Sequence, residues 1–232
     1  MRKSLTALLI PAVLLALLVG CTGGSADSDE AADPAERLAA AKQVIDEAAS
    51  IDVELSTQEL PDGVDGVTRA TGTGNHDPAF KGTIDIVAAG FAGEAPVVAV
   101  DDEVYVQLPF TSEYVPVDVQ TYGAPDPAVL MSTDDGISSL LTEATDVTEE
   151  GQRRNGEQVL TEFTGTLDGA VIADLFPSAD EDGSFDVTFT LTDDNELDTA
   201  TITGPFYAGA EDVTYEIEID TSEEPVEITA PQ

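Results

Sequence analysis

The stretch Ile51-Asp52-Val53-Glu54-Leu55-Ser56 alternates apolar and polar side chains at every position. Side chains of a β-strand point to opposite faces in turn, so a period of two predicts a strand with one buried and one solvent-facing side. The same alternation recurs along the chain in residues 80–86, 104–108, 159–163, 185–191, 197–203 and 213–219. The sequence therefore predicts a sheet of one-sided strands.

Turn-forming residues separate these strands. Asp101-Asp102 and Asp193-Asp194-Asn195 are typical hairpin turns, and Gly72-Thr73-Gly74 is interpreted as a further one. Glycines in the first half of the chain are taken as turn positions throughout: Gly63, Gly66, Gly72, Gly74, Gly90 and Gly93. Short turns between successive strands predict antiparallel pairing.

Helical signals are few. Asp33 followed by Pro34 is a capping side chain before a proline in the first turn, and apolar residues then recur at helical spacing up to Ser50. Shorter helices are predicted at residues 126–130 and 136–144, and a helix capped by Asp168 is predicted to end before Pro177. The resulting fold class is α+β: a large antiparallel sheet with several amphipathic helices covering one face.

Composition excludes several classes of function. The 232 residues carry 8 basic and 47 acidic side chains, a formal charge of −39, and such a surface would repel nucleic acid. One cysteine and one histidine allow no internal disulfide and no Cys/His zinc cluster. We therefore expect no metal and no cofactor, and we attribute the acidity mainly to solubility or adaptation to high salt.

The N-terminus predicts export and lipidation. Arg2 and Lys3 precede an apolar run that ends at Leu18-Val19-Gly20-Cys21, the pattern of a secretory signal followed by a bacterial lipobox. The predicted organisation is a lipoprotein signal peptide at 1–20, a flexible tether at 21–33 and a single domain at 34–232. A diacylglyceryl group on Cys21 would hold the domain on the outer leaflet of the plasma membrane.

Several further motifs occur in a characteristic order. After the lipobox and the first helix come Val97-Val98-Ala99-Val100-Asp101-Asp102-Glu103-Val104-Tyr105-Val106, then Tyr122-Gly123-Ala124-Pro125-Asp126-Pro127, Gly136-Ile137-Ser138-Ser139-Leu140-Leu141 and a strand over 157–165. Together they resemble the mycobacterial LprG/LppX lipoprotein family over nearly the whole mature chain. The resemblance implies a curved half-barrel sheet, with an apolar cavity between sheet and helices that holds acyl chains.

The resemblance also implies the ligand and the partners. The ligand would be a triacylated glycolipid, a phospholipid or triacylglycerol. The membrane-anchored protein would bind it in the cavity and carry it across or towards the outer cell envelope, together with a major-facilitator-type transporter. We expect the cavity to be lined by inward strand positions and the facing helices: Ile84, Ile86, Val98, Val100, Val104, Val106, Leu130, Ile137, Leu140, Leu141, Val171 and Leu175. The strand from Gly82 to Val87, which contains Ile84, resembles the family strand that borders the cavity entrance.

Alternative functions remain open at this stage. A non-catalytic scaffold or adhesion lipoprotein would have the same sheet with a filled core. A hydrolase could use His76 as a general base, although the chain has no Gly-x-Ser-x-Gly elbow. Residues 180–183 resemble the start of a calcium loop that lacks its glutamate. Arg153 and Arg154, interpreted as a hairpin tip, or Lys81 could bind a lipid phosphate if they lie at the cavity mouth.

Overall fold

A computed structural model of the chain describes residues 33–108 and 111–231. The predicted signal peptide, Cys21 and the tether up to residue 32 lie outside the described residues. None of the helices within the described ranges is long and apolar enough to cross a bilayer.

The first helix, α1, spans Pro34–Glu47 and begins where the sequence predicts. Asp33 accepts a hydrogen bond from the Ala35 amide at 2.9 Å, so its side chain caps the first turn. Leu38, Ala41 and Ile45 lie on one face and are buried. The helix ends three residues before the predicted Ser50, because Ser50 already belongs to the first strand.

In the described residues, eleven strands form one open antiparallel sheet, which confirms the predicted α+β class. The spatial order is β6-β5-β4-β3-β2-β1-β11-β10-β9-β8-β7. The strands are β1 Ser50–Ser56, β2 Gly66–Asn75, β3 Ala79–Ala88, β4 Phe91–Val100, β5 Glu103–Gln107, β6 Tyr114–Val117, β7 Thr145–Asn155, β8 Gln158–Asp168, β9 Ser184–Thr192, β10 Leu197–Gly204 and β11 Val213–Ser222.

This order requires a long crossing. The first six strands wind outward from β1 to one edge, and the last five wind inward from the other edge until β11 pairs with β1. The chain between Val117 and Thr145 must therefore pass from edge to edge over one face. It does so through 3-10 helices at Val119–Tyr122, Val129–Met131 and Ile137–Ser139 and the short helix α2, Leu140–Glu143.

These crossing elements are shorter than predicted. The helix expected over 136–144 divides into a 3-10 turn and α2, and the one expected over 126–130 is a 3-10 turn displaced toward Met131. The last helix, α3, spans Gly169–Leu175 and stops before Pro177 as predicted. Asp168 occupies its N-cap position, but the Asp168 side chain makes no capping hydrogen bond.

The prediction of a hairpin turn at Gly72-Thr73-Gly74 is wrong, because these residues lie inside β2. Gly72 pairs with Gly82 of β3, and a Cβ on either would lie within 2.7 Å of the Phe80 ring. The two glycines make room for that ring to lie across the inner face. Gly66 and Gly93 are also strand residues, whereas the turns at Asp101-Asp102 and 193–195 are confirmed.

The two halves of the inner face are filled differently. Strands β8 and β9 and the loop after β10 carry buried aromatic rings that belong to the main core, and Arg37 of α1 lies over the Phe163 ring. Strands β2 to β4 carry one buried ring on this face, Phe80, and otherwise aliphatic or small side chains. The rings of the first half are Phe163, Phe185, Phe189 and Phe206, and the small residues of the second are Ala70, Gly72, Gly82, Ala95 and Ala99. The interior over β2 to β4 is therefore short of side-chain volume.

The outer face of the central strands is acidic. Glu54 of β1 stands directly opposite Glu218 of β11. Partial burial and the neighbouring carboxylates, Glu54 first among them, raise the pKa of Glu218. Farther along the same face, the C-terminal segment after β11 crosses the sheet, and the Asn75 amide donates to the Val226 carbonyl at 3.0 Å.

Candidate functional site

A cavity of about 600 Å³ occupies the under-filled half of the interior. It lies between the inner face of β1 to β6 and the segment that leaves β6, residues 117–125, and the loops after α3 and β10 complete its wall. The strands contribute mostly aliphatic side chains: Leu55, Val67, Ile84, Ile86, Val87, Ala88, Ala95, Val106 and Val117. Its volume falls within the range of about 300–1,000 Å³ that is usual for small-molecule sites.

The cavity has an aromatic floor and reaches the surface at its other side. Phe176, Phe206 and Tyr215 form the floor and are buried. Ala88 at the end of β3 and Thr121 in the first 3-10 turn also line the cavity and are exposed. A ligand could thus enter between the end of β3 and the crossing segment without displacing the core.

Two tyrosines contribute hydroxyl groups to the wall. The Tyr215 hydroxyl donates to the Val67 carbonyl at 2.7 Å, so the Tyr207 hydroxyl, 2.9 Å from it, donates to Tyr215. Burial raises the pKa of both phenols, which keeps them uncharged. A Cβ at Gly66 would lie 2.1 Å from the Tyr207 hydroxyl, so glycine there makes room for Tyr207.

The charged groups at the mouth are carboxylates. Asp65 lines the cavity and accepts a hydrogen bond from the Ala89 amide at 2.8 Å. Asp62 and Glu211 line an adjoining surface depression that shares Tyr207 and Ser178 with the cavity. The mouth is therefore negatively charged.

The three basic residues considered for phosphate binding lie elsewhere. Arg153 pairs with Glu162 at 3.0 Å and approaches Asp198 at 3.9 Å, on the sheet half opposite the cavity. Arg154 lies beside it in β7, not in the hairpin turn, which corrects the prediction of a tip. Lys81 is exposed on β3, and its side chain is on the face of the sheet opposite to that of Ile84. None of the three lines the cavity.

The predicted lining residues occupy three different places. Ile84, Ile86 and Val106 border the cavity. Val98 and Val100 belong to a small cluster with Ala79 and Ile228, separate from the main core. The other seven do not border the cavity but belong to the main core or pack against it: Val104, Leu130, Ile137, Leu140, Leu141, Val171 and Leu175.

Sequence reasoning missed the aromatic and loop residues of the wall. Phe176, Phe206, Tyr207 and Tyr215 come from the second half of the chain, and their meeting with β2 and β3 depends on the β1–β11 pairing. One local signal was available, because the motif Tyr122-Gly123-Ala124-Pro125 supplies three of the lining residues.

His76 has a structural environment. Its Nδ1 lies 2.8 Å from the Met131 carbonyl oxygen and its Nε2 lies 2.9 Å from the Ile45 carbonyl oxygen. A carbonyl oxygen only accepts, so a neutral ring donates to one of them and a protonated ring donates to both. The ring thereby joins the β2–β3 turn to α1 and to the second 3-10 turn, and neither nitrogen faces the cavity.

Replacing His76 with alanine should therefore affect stability. We expect His76→Ala to lower the free energy of unfolding by about 1–2 kcal/mol, because the Met131 carbonyl loses its side-chain partner, while the Ile45 carbonyl still accepts from the Ala48 amide. Urea denaturation followed by circular dichroism measures this, with Asp77→Ala, an exposed neighbour, as the control. Hydrolysis of envelope lipid esters that disappears in His76→Ala, with unchanged stability, would contradict this role.

Comparison with known proteins agrees with this architecture. The family model described as LppX_LprAFG lipoprotein matches residues 33–228. No curated protein sequence matches the chain. LprF from Mycobacterium bovis superimposes with a TM-score of 0.66 at 14% identity, covering 85% of this chain and 96% of LprF. LppX from Mycobacterium tuberculosis gives 0.60 at 18% identity, covering 84% and 97%.

At these identities the two crystal structures show a shared fold, and the family match shows kinship over most of the chain. The resemblance inferred from the sequence motifs is thereby confirmed. The chain belongs to the LppX_LprAFG family of lipoproteins.

Proposed function

We propose that this protein is a membrane-anchored carrier that encloses acyl chains of a lipid in the cavity between the sheet and the crossing segment. The observation that supports this most is the composition of the wall. Among the residues that line it, Asp65 is the one charged side chain, and aliphatic and aromatic groups supply most of the rest. Each methylene transferred from water into such a site contributes about 0.8 kcal/mol.

The same observation favours a carrier over a scaffold. A scaffold needs a filled core, and the small side chains of β2 to β4 leave the interior there unfilled. Apolar cavities of this size are destabilising unless occupied, because their lining atoms lose packing partners. Acyl chains would supply those partners. With His76 engaged by backbone groups, we propose a binding role without catalysis.

The charges at the mouth favour an uncharged lipid head group. A phosphate entering there would meet Asp65 at the cavity and Asp62 and Glu211 beside it. Like charges at close range are repelled, the more so where the wall is apolar. The ligand would then be an acylglycerol or a glycolipid without phosphate, held by its chains and by hydrogen bonds to neutral groups such as Tyr207.

Anchoring on the outer leaflet through Cys21 completes the proposal. A strongly acidic domain gains nothing from anionic head groups, so membrane attachment would rest on covalent acyl chains.

Native mass spectrometry of the protein purified from its own membrane tests the proposal. We expect a mass increment beyond the covalently lipidated chain that organic solvent removes, and we expect the extracted lipid to lack phosphate. A chain that carries no extractable lipid would exclude the carrier function. Phosphate-bearing lipid as the main species would exclude the head-group assignment while leaving the carrier function intact.

A further inference from the structure

The turn between β3 and β4 is an exposed apolar part of the described chain. We define the hairpin tip as residues 87–93, with the sequence Val87-Ala88-Ala89-Gly90-Phe91-Ala92-Gly93. It contains no charged or hydrogen-bonding side chain, although the chain carries a formal charge of −39. Phe91 is 80% exposed, against 42% for Val129 and 39% for Leu108, the other exposed large hydrophobic residues within the described ranges.

The tip is a tight two-residue turn. Ala89 and Gly90 have φ angles of 51° and 78°, the left-handed pair of a two-residue type I′ turn, and Ala88 pairs with Phe91 directly below it. Asp65 accepts a hydrogen bond from the Ala89 amide and so ties the turn to the start of β2. Phe91 is therefore a paired strand residue whose side chain is exposed to solvent.

The residue choice at this turn differs from that at a matching turn in the same chain. Asp101 and Asp102, which join β4 to β5, have φ angles of 56° and 61°, the same left-handed geometry with two carboxylates. Left-handed backbone favours Gly, Asn or Asp, and alanine there costs about 1 kcal/mol. The β3–β4 turn thus carries alanine at a position where the backbone conformation disfavours it. We infer that an apolar side chain there has a function.

The tip continues directly into the cavity wall. Val87 and Ala88 belong to both, and Ile84 and Ile86 follow inward along the same strand. Asp65, which holds the turn, lies at the mouth. A surface that contacts the tip would therefore also face the cavity entrance.

We propose that the hairpin tip inserts into the surface of the lipid bilayer, with Phe91 as its anchor, and so brings the cavity mouth against the lipids to be loaded or released. The role of this insertion in lipid loading rests on the proposed carrier function, whereas the contact between tip and bilayer does not. The acidic remainder of the surface is repelled by anionic head groups, so an uncharged apolar projection is the part that can enter the interface.

The chain contains no tryptophan, so a tryptophan at the tip is a clean reporter. The full chain carrying Phe91→Trp is reconstituted into vesicles of dibrominated phosphatidylcholine and, separately, of unbrominated phosphatidylcholine. We expect the emission to shift to shorter wavelength and to fall by about half or more in the brominated vesicles, because insertion to the head-group and acyl boundary brings the indole to the quencher.

The control is Gln158→Trp, an exposed uncharged position at the start of β8. Its emission should be the same in both kinds of vesicle. Quenching at Phe91→Trp no stronger than at Gln158→Trp would overturn the proposal and would leave a protein partner as the group that covers the tip.

A second variant separates this inference from the carrier function. Phe91→Asp should slow the uptake of pyrene-labelled diacylglycerol from vesicles about tenfold, because the aspartate removes the apolar contact. The amount bound at equilibrium should be unchanged, since Phe91 does not line the cavity. Unchanged uptake would contradict the inference. A wild-type chain that binds no lipid while Phe91→Trp is still quenched would refute the carrier function and preserve the membrane contact.

Discussion

Ile84→Trp is expected to abolish lipid loading while leaving the sheet intact. Ile84 lies in the middle of β3, borders the cavity and is opposite Ala70 of β2 and Ala95 of β4. Because both cross-strand partners are alanines, we expect an indole at this position to extend into the cavity. We expect the lipid extracted from purified protein to fall about tenfold or more, since filling the cavity removes the burial of several methylenes at about 0.8 kcal/mol each.

The matched control is Thr83→Trp. Thr83 is adjacent in β3, is uncharged, and points to the opposite face of the sheet. Its extracted lipid should equal that of the wild type, and circular dichroism should show the same sheet content in both variants. Equal lipid in Ile84→Trp and Thr83→Trp, with both chains folded, would mean that the acyl chains lie elsewhere.

The sequence predicted those elements whose signal is local. The Asp33-Pro34 start of α1, the alternation of β1 and the apolar face of β11 each occur within one segment, and each element was found where it was expected. Family membership was equally accessible, because the motifs that carry it lie in one order along the chain. Local chemistry and motif order were therefore sufficient for the fold class.

The inward face of β4 illustrates what local signals could not decide. Val97-Val98-Ala99-Val100 is apolar at every position, so a period of two does not reveal which residues point into the main core. In the structure Val97 and Ala99 belong to the main core, whereas Val98 and Val100 lie in the small cluster with Ile228. The C-terminal segment that covers this outer patch is distant in sequence, which explains why the patch was predicted to line the cavity.

The position of the cavity depends on a difference between two halves of the sheet. Leu140, Leu141 and Leu175 lie on the predicted apolar faces of helices, but they belong to the main core together with the phenylalanines of β8 and β9 and do not border the cavity. Of the predicted set, Ile84, Ile86 and Val106 border the cavity, which lies against the other half of the sheet. A comparison of side-chain volumes between paired strands would have located the cavity. It requires the order of strands in the sheet, which depends on pairing between segments distant in sequence.

Phe206→Ala is expected to cause the largest loss of stability. Phe206 is 1% exposed, and its ring centroid lies 4.8 Å from Tyr215, 5.0 Å from Phe185 and 5.4 Å from Phe176. Phe206 is thus the centre of an aromatic group that includes the cavity floor and connects it to the filled half of the core. Truncation of a buried phenylalanine costs about 3–5 kcal/mol, and here the new space would join the existing cavity.

Urea denaturation of delipidated protein measures this loss, because a bound ligand would otherwise add to the apparent stability. Phe91→Ala is the control, since the same truncation at an exposed position should change the free energy of unfolding by less than about 0.5 kcal/mol. Adding diacylglycerol should restore part of the stability of Phe206→Ala, because acyl chains can fill the enlarged space. A loss below about 1 kcal/mol would show that the interior collapses around the missing ring, and the cavity would then be too pliable to require a ligand.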